Sequence, residues 1–270
     1  MMMNSSNQMN QTNQTNKNTL VLGYDLDLWS NYGIKLPVTV DLLPSVNSHM
    51  LINGMSGGGK SYALLGYFAK LILAQSNGVY YFADYKMDDS FKHFRGLAHY
   101  KSFTQTRQTL DIVYSCLNAR LSGEDETRHP ITLIWDEYMA DMLALISEDK
   151  KLATLTMSKV SEILLMGRSM GVRLISAMQR PDAIAFPAGS RLNYGIVVVL
   201  GAAIRSIYEM LMPDHLDTIK GRRFNRGEGV ALLQGSELHF IKIPTMKSYE
   251  HMKNICINAL SNNQREDEII

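Results

Sequence analysis

The chain has 270 residues, 46% of them apolar and 20% charged, a balance that excludes a fibrous or wholly disordered polypeptide and allows one large α/β domain or two small ones. Its net charge of +1 argues neither for nor against a nucleic-acid partner, because a protein that threads DNA through a ring need only line the pore with cations. No apolar run reaches the roughly 20 residues of a membrane helix, the polar start is not a secretory signal, and Cys116 and Cys256 lack metal-ligand spacing, which together suggest a reducing, cytoplasmic location.

Residues 1–18, "MMMNSSNQMNQTNQTNKN", are rich in Asn and Gln and cannot offset the entropy of ordering, so a disordered tail is expected there. A single folded domain is expected over 19–246, then a C-terminal helix and an acidic tail over 247–270, with "NNQREDEII" as a loose end or a docking peptide. Strands are predicted at "HMLIN", "VYYFAD", "ITLIWD", "RLISAM" and "GIVVVL", and "VALLQ" and "LHFIKI" form a hairpin across "GSE". Helices are predicted after the glycine-rich loop that follows the first of these strands and over 105–121, 152–167 and 203–211. Strands apolar almost throughout, alternating with helices, indicate an α/β fold: a mainly parallel sheet covered by helices on both faces and finished by a C-terminal β-hairpin.

The stretch "INGMSGGGKS" has the spacing Gly54-x-x-x-x-Gly59-Lys60-Ser61 of a P-loop. Glycines there let several backbone N–H groups converge on phosphate oxygens, and the following helix adds its N-terminal donors. Gly54, Ser56, Gly57, Gly58, Gly59, Lys60 and Ser61 are therefore the candidate nucleotide-binding residues. Lys60 is expected at the β/γ-phosphates and Ser61 on Mg²⁺, with ATP as the nucleotide. A flexible Gly/Ser loop is the plain alternative, and the strand, loop and helix order argues against it.

An ATPase also needs carboxylates at a neighbouring strand end, and "ITLIWDEY" supplies Asp136 for the metal and Glu137 as general base. The same pair could instead cap the next helix. Where "RLISAMQRP" ends, the Gln179 amide could contact the γ-phosphate, and Pro181 turns the chain away.

These motifs, with "LPVTVDL", "FADYK", "IWDEYMADM", "GRSMGVRLISAMQRPDA" and "RGEGVALLQ", resemble in order the FtsK/HerA superfamily, specifically its FtsK-like motor domain. Tyr85 stands for the family's proline in "FADYK", Glu228 for an aspartate in the closing hairpin, and Ala140 and Asp141 follow the acidic pair as in the family. The resemblance implies a RecA-like P-loop ATPase that assembles as a homo-hexameric ring around double-stranded DNA and translocates it. It also implies an arginine supplied from the neighbouring subunit, since charge building on the γ-phosphate needs a preorganised cation. Arg168 in "GRSMG" is the first candidate for that finger, Arg205 the second and Arg191 the third. A cation at a helix C-terminus is the structural alternative for Arg168.

Lys86 could face DNA, a neighbouring subunit or solvent, and "KGRRFNRGEG" could contact phosphates with Phe224 stacking or form a charged surface loop. The anchors and adaptor domains of the larger family members have no counterpart in this sequence, so a membrane, relaxase or capsid partner is expected to supply targeting. Transfer of a mobile element's DNA is the favoured process, with viral genome packaging and protein secretion as alternatives.

Overall fold

A computed structural model of the chain describes residues 19–42 and 49–261. The expected tails over 1–18 and 262–270 lie outside the described residues. In chain order the elements are β1 (Thr19–Asp25), α1 (Leu26–Tyr32), β2 (Pro37–Asp41), β3 (Met50–Gly54), α2 (Lys60–Ala74), β4 (Val79–Asp84), β5 (Tyr100–Ser102) and α3 (Thr106–Ser122). They continue with β6 (Ile131–Asp136), α4 (Tyr138–Glu148), α5 (Lys150–Met166), β7 (Val172–Met178), β8 (Ile196–Leu200), α6 (Arg205–Leu211), α7 (Leu216–Ile219), β9 (Glu228–Leu233), β10 (Glu237–Lys242) and α8 (Tyr249–Ser261).

All the described strands join one sheet of ten, in the order β2-β1-β10-β9-β8-β3-β7-β6-β4-β5. From β8 to β5 every pairing is parallel, and from β8 outward through β9, β10, β1 and β2 every pairing is antiparallel. The fold is thus the expected RecA-like one, with β9 and β10 as the predicted hairpin.

Strands β3, β4, β6, β7, β8 and β9 bury both faces, which is why their sequences are apolar almost throughout. In β4, Val79, Tyr81 and Ala83 enter one core while Tyr80 and Phe82 enter the other, and in β6, Leu133 and Trp135 oppose Ile134 in the same way. Helices α3, α4 and α5 cover the first core through residues such as Val113, Met142 and Ile163. The second is covered by α2 and α8, through Leu64, Phe68, Cys256 and Leu260. Leu64 and Phe68 are fully buried, and at about 1.5–3 kcal/mol each they pin α2, and so the loop that precedes it, to the sheet.

Several elements have weaker sequence signals. β1 alternates Leu20 and Leu22 inward, but its register with β2 shifts between Val21 and Gly23. α1 carries its signals openly: Asp25 accepts from the Leu28 N–H at 2.7 Å and Gly33 ends the helix in the left-handed region. Helix α4 begins directly after the acidic pair, with no polar break to announce it.

At Gly229 the antiparallel β9 approaches β8 so closely that a Cβ would lie 2.0 Å from the Val199 carbonyl oxygen. The neighbouring Leu200 carbonyl in turn abuts Gly58, where a Cβ would meet it at 3.0 Å. Gly229→Ala is therefore expected to destabilise the fold by about 3 kcal/mol or more. Urea unfolding of both proteins checks this; an equal midpoint would show that β8 and β9 separate freely.

Candidate nucleotide site

Every parallel strand places its C-terminal end on the same rim, and there the sequence-predicted residues converge. β3 delivers the loop, β7 delivers Gln179 and β6 delivers Asp136 and Glu137, in that lateral order. Gly54, Ser56, Gly57, Gly59, Lys60 and Ser61 line one cavity of about 360 Å³, and Glu137 and Gln179 line it as well. Gly58 lies at the loop's base, donating to the Met55 carbonyl at 2.9 Å and accepting from the Gly227 N–H at 3.1 Å. Gly59 has φ +98°, a conformation that resists any side chain, and its carbonyl starts α2 by accepting from the Ala63 N–H at 2.9 Å.

The Lys60 ammonium contacts Asp136 Oδ1 and is 3.0 Å from Glu137 Oε1. All three side chains are buried. Burial pushes the Asp136 carboxyl up to about 6, against the pull of Lys60. Burial also works against the Lys60 ammonium, but the two carboxylates outweigh it and its pKa lies above the usual value. Glu137 adopts φ 59°, ψ 36°, a left-handed backbone uncommon outside glycine and of the kind concentrated at functional sites. Its N–H donates to the Ala177 carbonyl of β7 at 2.8 Å, which ties the acidic pair to the strand carrying Gln179.

The donors present fit Mg²⁺. Among the described residues no group of three or more His, Cys, Asp or Glu could cage a metal. Mg²⁺ bound with phosphates and water needs only one or two protein ligands. Asp136 Oδ2 is buried with no hydrogen-bond partner among the described residues, and Ser61 lines the cavity that Glu137, the residue after Asp136, also lines. That oxygen and the Ser61 hydroxyl are the pair that would hold the ion.

Sequence reasoning missed several members of the site. Asn53 donates through Nδ2 to the carbonyls of Met178 at 3.2 Å and Gln179 at 3.0 Å, fixing the end of β7 against β3. Its signal was a polar residue closing an otherwise apolar strand. Asp88 and Ser90 line the cavity too. Burial opposes the Asp88 carboxylate, yet the Ser90 N–H and hydroxyl, the Lys60 charge and the Ser61 hydroxyl hold its pKa below the usual value. Tyr249 of α8 also lines the cavity and stacks on Tyr62 with ring centroids 6.1 Å apart.

Other assignments change. Lys86 is half-exposed, and its ammonium is 3.0 Å from Glu137 Oε2. Phe224 is buried and stacks on Phe240, so it is not an exposed platform for bases. Arg222 lies over Phe240 and grips Asp27 through two contacts of 2.6 and 2.8 Å. Arg226 lines the nucleotide cavity. Glu228 is paired with Lys242 at 2.9 Å. Asp141 accepts from the Thr106 hydroxyl at 2.5 Å and so joins α4 to α3.

The candidate finger residues do not reach this cavity within the chain. Arg168 is exposed in the turn between α5 and β7, on the N-terminal rim opposite the P-loop, and lines a separate cavity with His49 and Gln234. Arg205 opens α6 beyond the C-terminal end of β8 and pairs with Glu209 at 2.7 Å. Arg191 lies in a 3-10 turn before β8, again on the N-terminal rim.

A carboxyl whose folded pKa is raised costs stability above that pKa and regains it on acidification. Relative to Asp136→Asn, the wild type is expected to gain about 1 kcal/mol between pH 7 and pH 5, within the window from about 6 down to the unfolded value. Denaturant unfolding of both proteins at the two pH values, with chelator and without nucleotide, measures this. A pH-independent difference would mean that Asp136 titrates normally.

No family model matches the chain. A stretch of 228 residues, 77% of the chain, is 25% identical to the FtsK domain-containing protein YdcQ of Bacillus subtilis (strain 168), and it spans 45% of that relative's length. Among solved structures, the monomer form of the pCW3 conjugation coupling protein TcpA with ATPγS aligns with a TM-score of 0.67 at 16% identity, covering 90% of this chain and 70% of that one. The cytoplasmic domain of the Thermomonospora curvata type VII secretion ATPase EccC aligns with a TM-score of 0.64 at 18% identity, covering 94% of this chain and 32% of that one. The resemblance read from the motifs is thus borne out: the chain has the fold of the FtsK/HerA-type ATPases and is similar in sequence to an FtsK domain-containing protein.

Proposed function

We propose that the protein is a cytoplasmic, Mg²⁺-dependent ATPase that translocates double-stranded DNA as a hexameric ring. The observation that carries the reading is the meeting of Lys60 with Asp136 and Glu137 at the edge of a cavity lined by P-loop glycines and Gln179. Holding the metal-bound nucleotide accounts for one buried carboxylate beside the phosphate lysine, Asp136; the second, Glu137, is a group that can accept a proton from an attacking water.

In this reading the loop N–H groups and Lys60 hold the β- and γ-phosphates, and Gln179 orients the γ-phosphate end. Glu137 accepts the proton of the attacking water. Ser61 and Asp136 hold Mg²⁺, which when bound supplies positive charge to the phosphate oxygens. Arg168 acts on the site of the next subunit, since it is exposed on the rim away from its own. Recruitment falls to a membrane, relaxase or capsid partner; among the described residues no helix is long and apolar enough to cross a membrane.

The likeness to a conjugation coupling protein favours DNA transfer by a mobile element. The likeness to a secretion ATPase supports protein secretion as a second reading.

Steady-state ATPase activity with and without linear duplex DNA, alongside sedimentation, separates the two. DNA is expected to raise turnover severalfold and to favour a six-subunit species, while Lys60→Ala abolishes nucleotide binding. Turnover indifferent to DNA would retire the translocase reading in favour of secretion. For the finger, Arg168→Ala is expected to lose hydrolysis and keep nucleotide binding, and mixing it with Lys60→Ala subunits should recover part of the activity. Mixtures as inactive as their components would leave Arg168 without a role in trans.

A further inference from the structure

Glu137 is held from two sides by two different lysines. Strands β4 and β6 are parallel neighbours in register, with Asp84 opposite Asp136, and the Tyr85 N–H donates to the Asp136 carbonyl at 3.3 Å. The two chain segments therefore leave the sheet together. Lys86 comes from one and Glu137 from the other, and they meet at 3.0 Å through Oε2. Oε1, the other carboxylate oxygen, faces Lys60 at 3.0 Å.

The two lysines differ in what else they can do. Lys60 lines the cavity, belongs to the P-loop and is the group that engages phosphate. Lys86 is absent from the cavity lining, is 45% exposed and comes from outside. When Lys60 turns to phosphate, Oε1 is freed on the cavity side while Oε2 stays anchored. The terminal torsion of a glutamate is broad and roughly two-fold, so an unanchored carboxylate would not keep one oxygen aimed inward. As a stabilising device the pair would matter little, because a half-exposed ion pair contributes about 0–1 kcal/mol.

We propose that Lys86 is the positioning residue of Glu137: it fixes Oε2 so that Oε1 receives the proton from the attacking water. In that step the water oxygen bonds to the γ-phosphorus as the bond from phosphorus to the β–γ bridging oxygen breaks. The water proton passes to Oε1, and ADP and phosphate are the products. The inference rests on the ATP-hydrolysis reading above.

The test compares wild type, Lys86→Met, Lys86→Arg, Glu137→Gln and the double variant Lys86→Met/Glu137→Gln, using phosphate release for kcat and KM and a fluorescent ATP analogue for affinity. Lys86→Met is expected to lower kcat about 10- to 100-fold, the scale of misplacing a catalytic group by about 1 Å. KM, nucleotide affinity and the thermal midpoint should stay near wild type. Lys86→Arg, which keeps the cation, should restore most of kcat, and Lys86→Met should cost nothing further once Glu137 is Gln. An unchanged or raised kcat in Lys86→Met, no rescue by arginine, or a full further loss in the double variant overturns the proposal. A wild type without turnover overturns the hydrolysis reading together with it. An active wild type that Glu137→Gln silences and Lys86→Met does not overturns the role of Lys86 alone.

Discussion

One buried ammonium holds the site together. Lys60 belongs to the loop after β3, and its two carboxylates belong to the end of β6, yet β7 lies between those strands in the sheet. The ammonium therefore reaches across the end of β7, where Gln179 is placed. Such a buried cluster contributes little net stability, since desolvation offsets much of the attraction, whereas removing one member strands the others at a cost of about 3–5 kcal/mol. It is better understood as preorganisation: charge is already gathered where a triphosphate would bring more, and the raised pKa of Asp136 records the cost of keeping it there.

The surroundings of the P-loop follow from that requirement. Helix α2 is fixed by its buried face, and the Gly58 carbonyl is held by Gly227 of the segment leading into β9. That contact gives the antiparallel half of the sheet a part in the site. It brings Arg226 to the cavity and leaves Arg222 occupied by Asp27, over Phe240. The basic stretch over 220–229 is thus divided among nucleotide, core and surface: Lys220, Arg223 and Arg226 are exposed with no ion pair among the described residues, and of these Lys220 and Arg223 lie outside the nucleotide cavity. Any grip on DNA through this segment would rest on those two rather than on a stacking aromatic.

The parallel half of the fold was legible because both signals needed for it are local. Runs such as "ITLIWD" are apolar on both faces, and P-loop spacing fixes which strand precedes which helix. Lys60, Asp136, Glu137 and Gln179 come together because strand ends on one rim are neighbours by topology, which motif order already implies. What stayed hidden depends on lateral register. Nothing in "FADYK" says that Lys86 will meet Glu137; that follows only once β4 is paired with β6 residue for residue. Likewise Asn53 reads as the polar end of a strand until β7 lies beside it, and β1 reads as a weak alternation until β10 supplies its partner. Phe224 looked like an exposed aromatic among arginines because sequence shows composition and not which side faces the core.

The positions of the candidate arginines carry a last consequence for assembly. A residue on the N-terminal rim cannot complete a site on the C-terminal rim of its own chain, so a role for Arg168 would require unlike surfaces of two copies to meet. That is a heterologous contact, and repeated with a closing rotation it generates a ring, whereas an isologous pair would bury one finger surface against another and leave both sites incomplete. Arg205 makes a weaker demand, because it already lies beyond β8 on the P-loop rim and needs only a lateral neighbour; its pairing with Glu209 would have to break first. Among the described residues no ion pair holds Arg168, so the arginine farther from its own P-loop is the one freer to serve another.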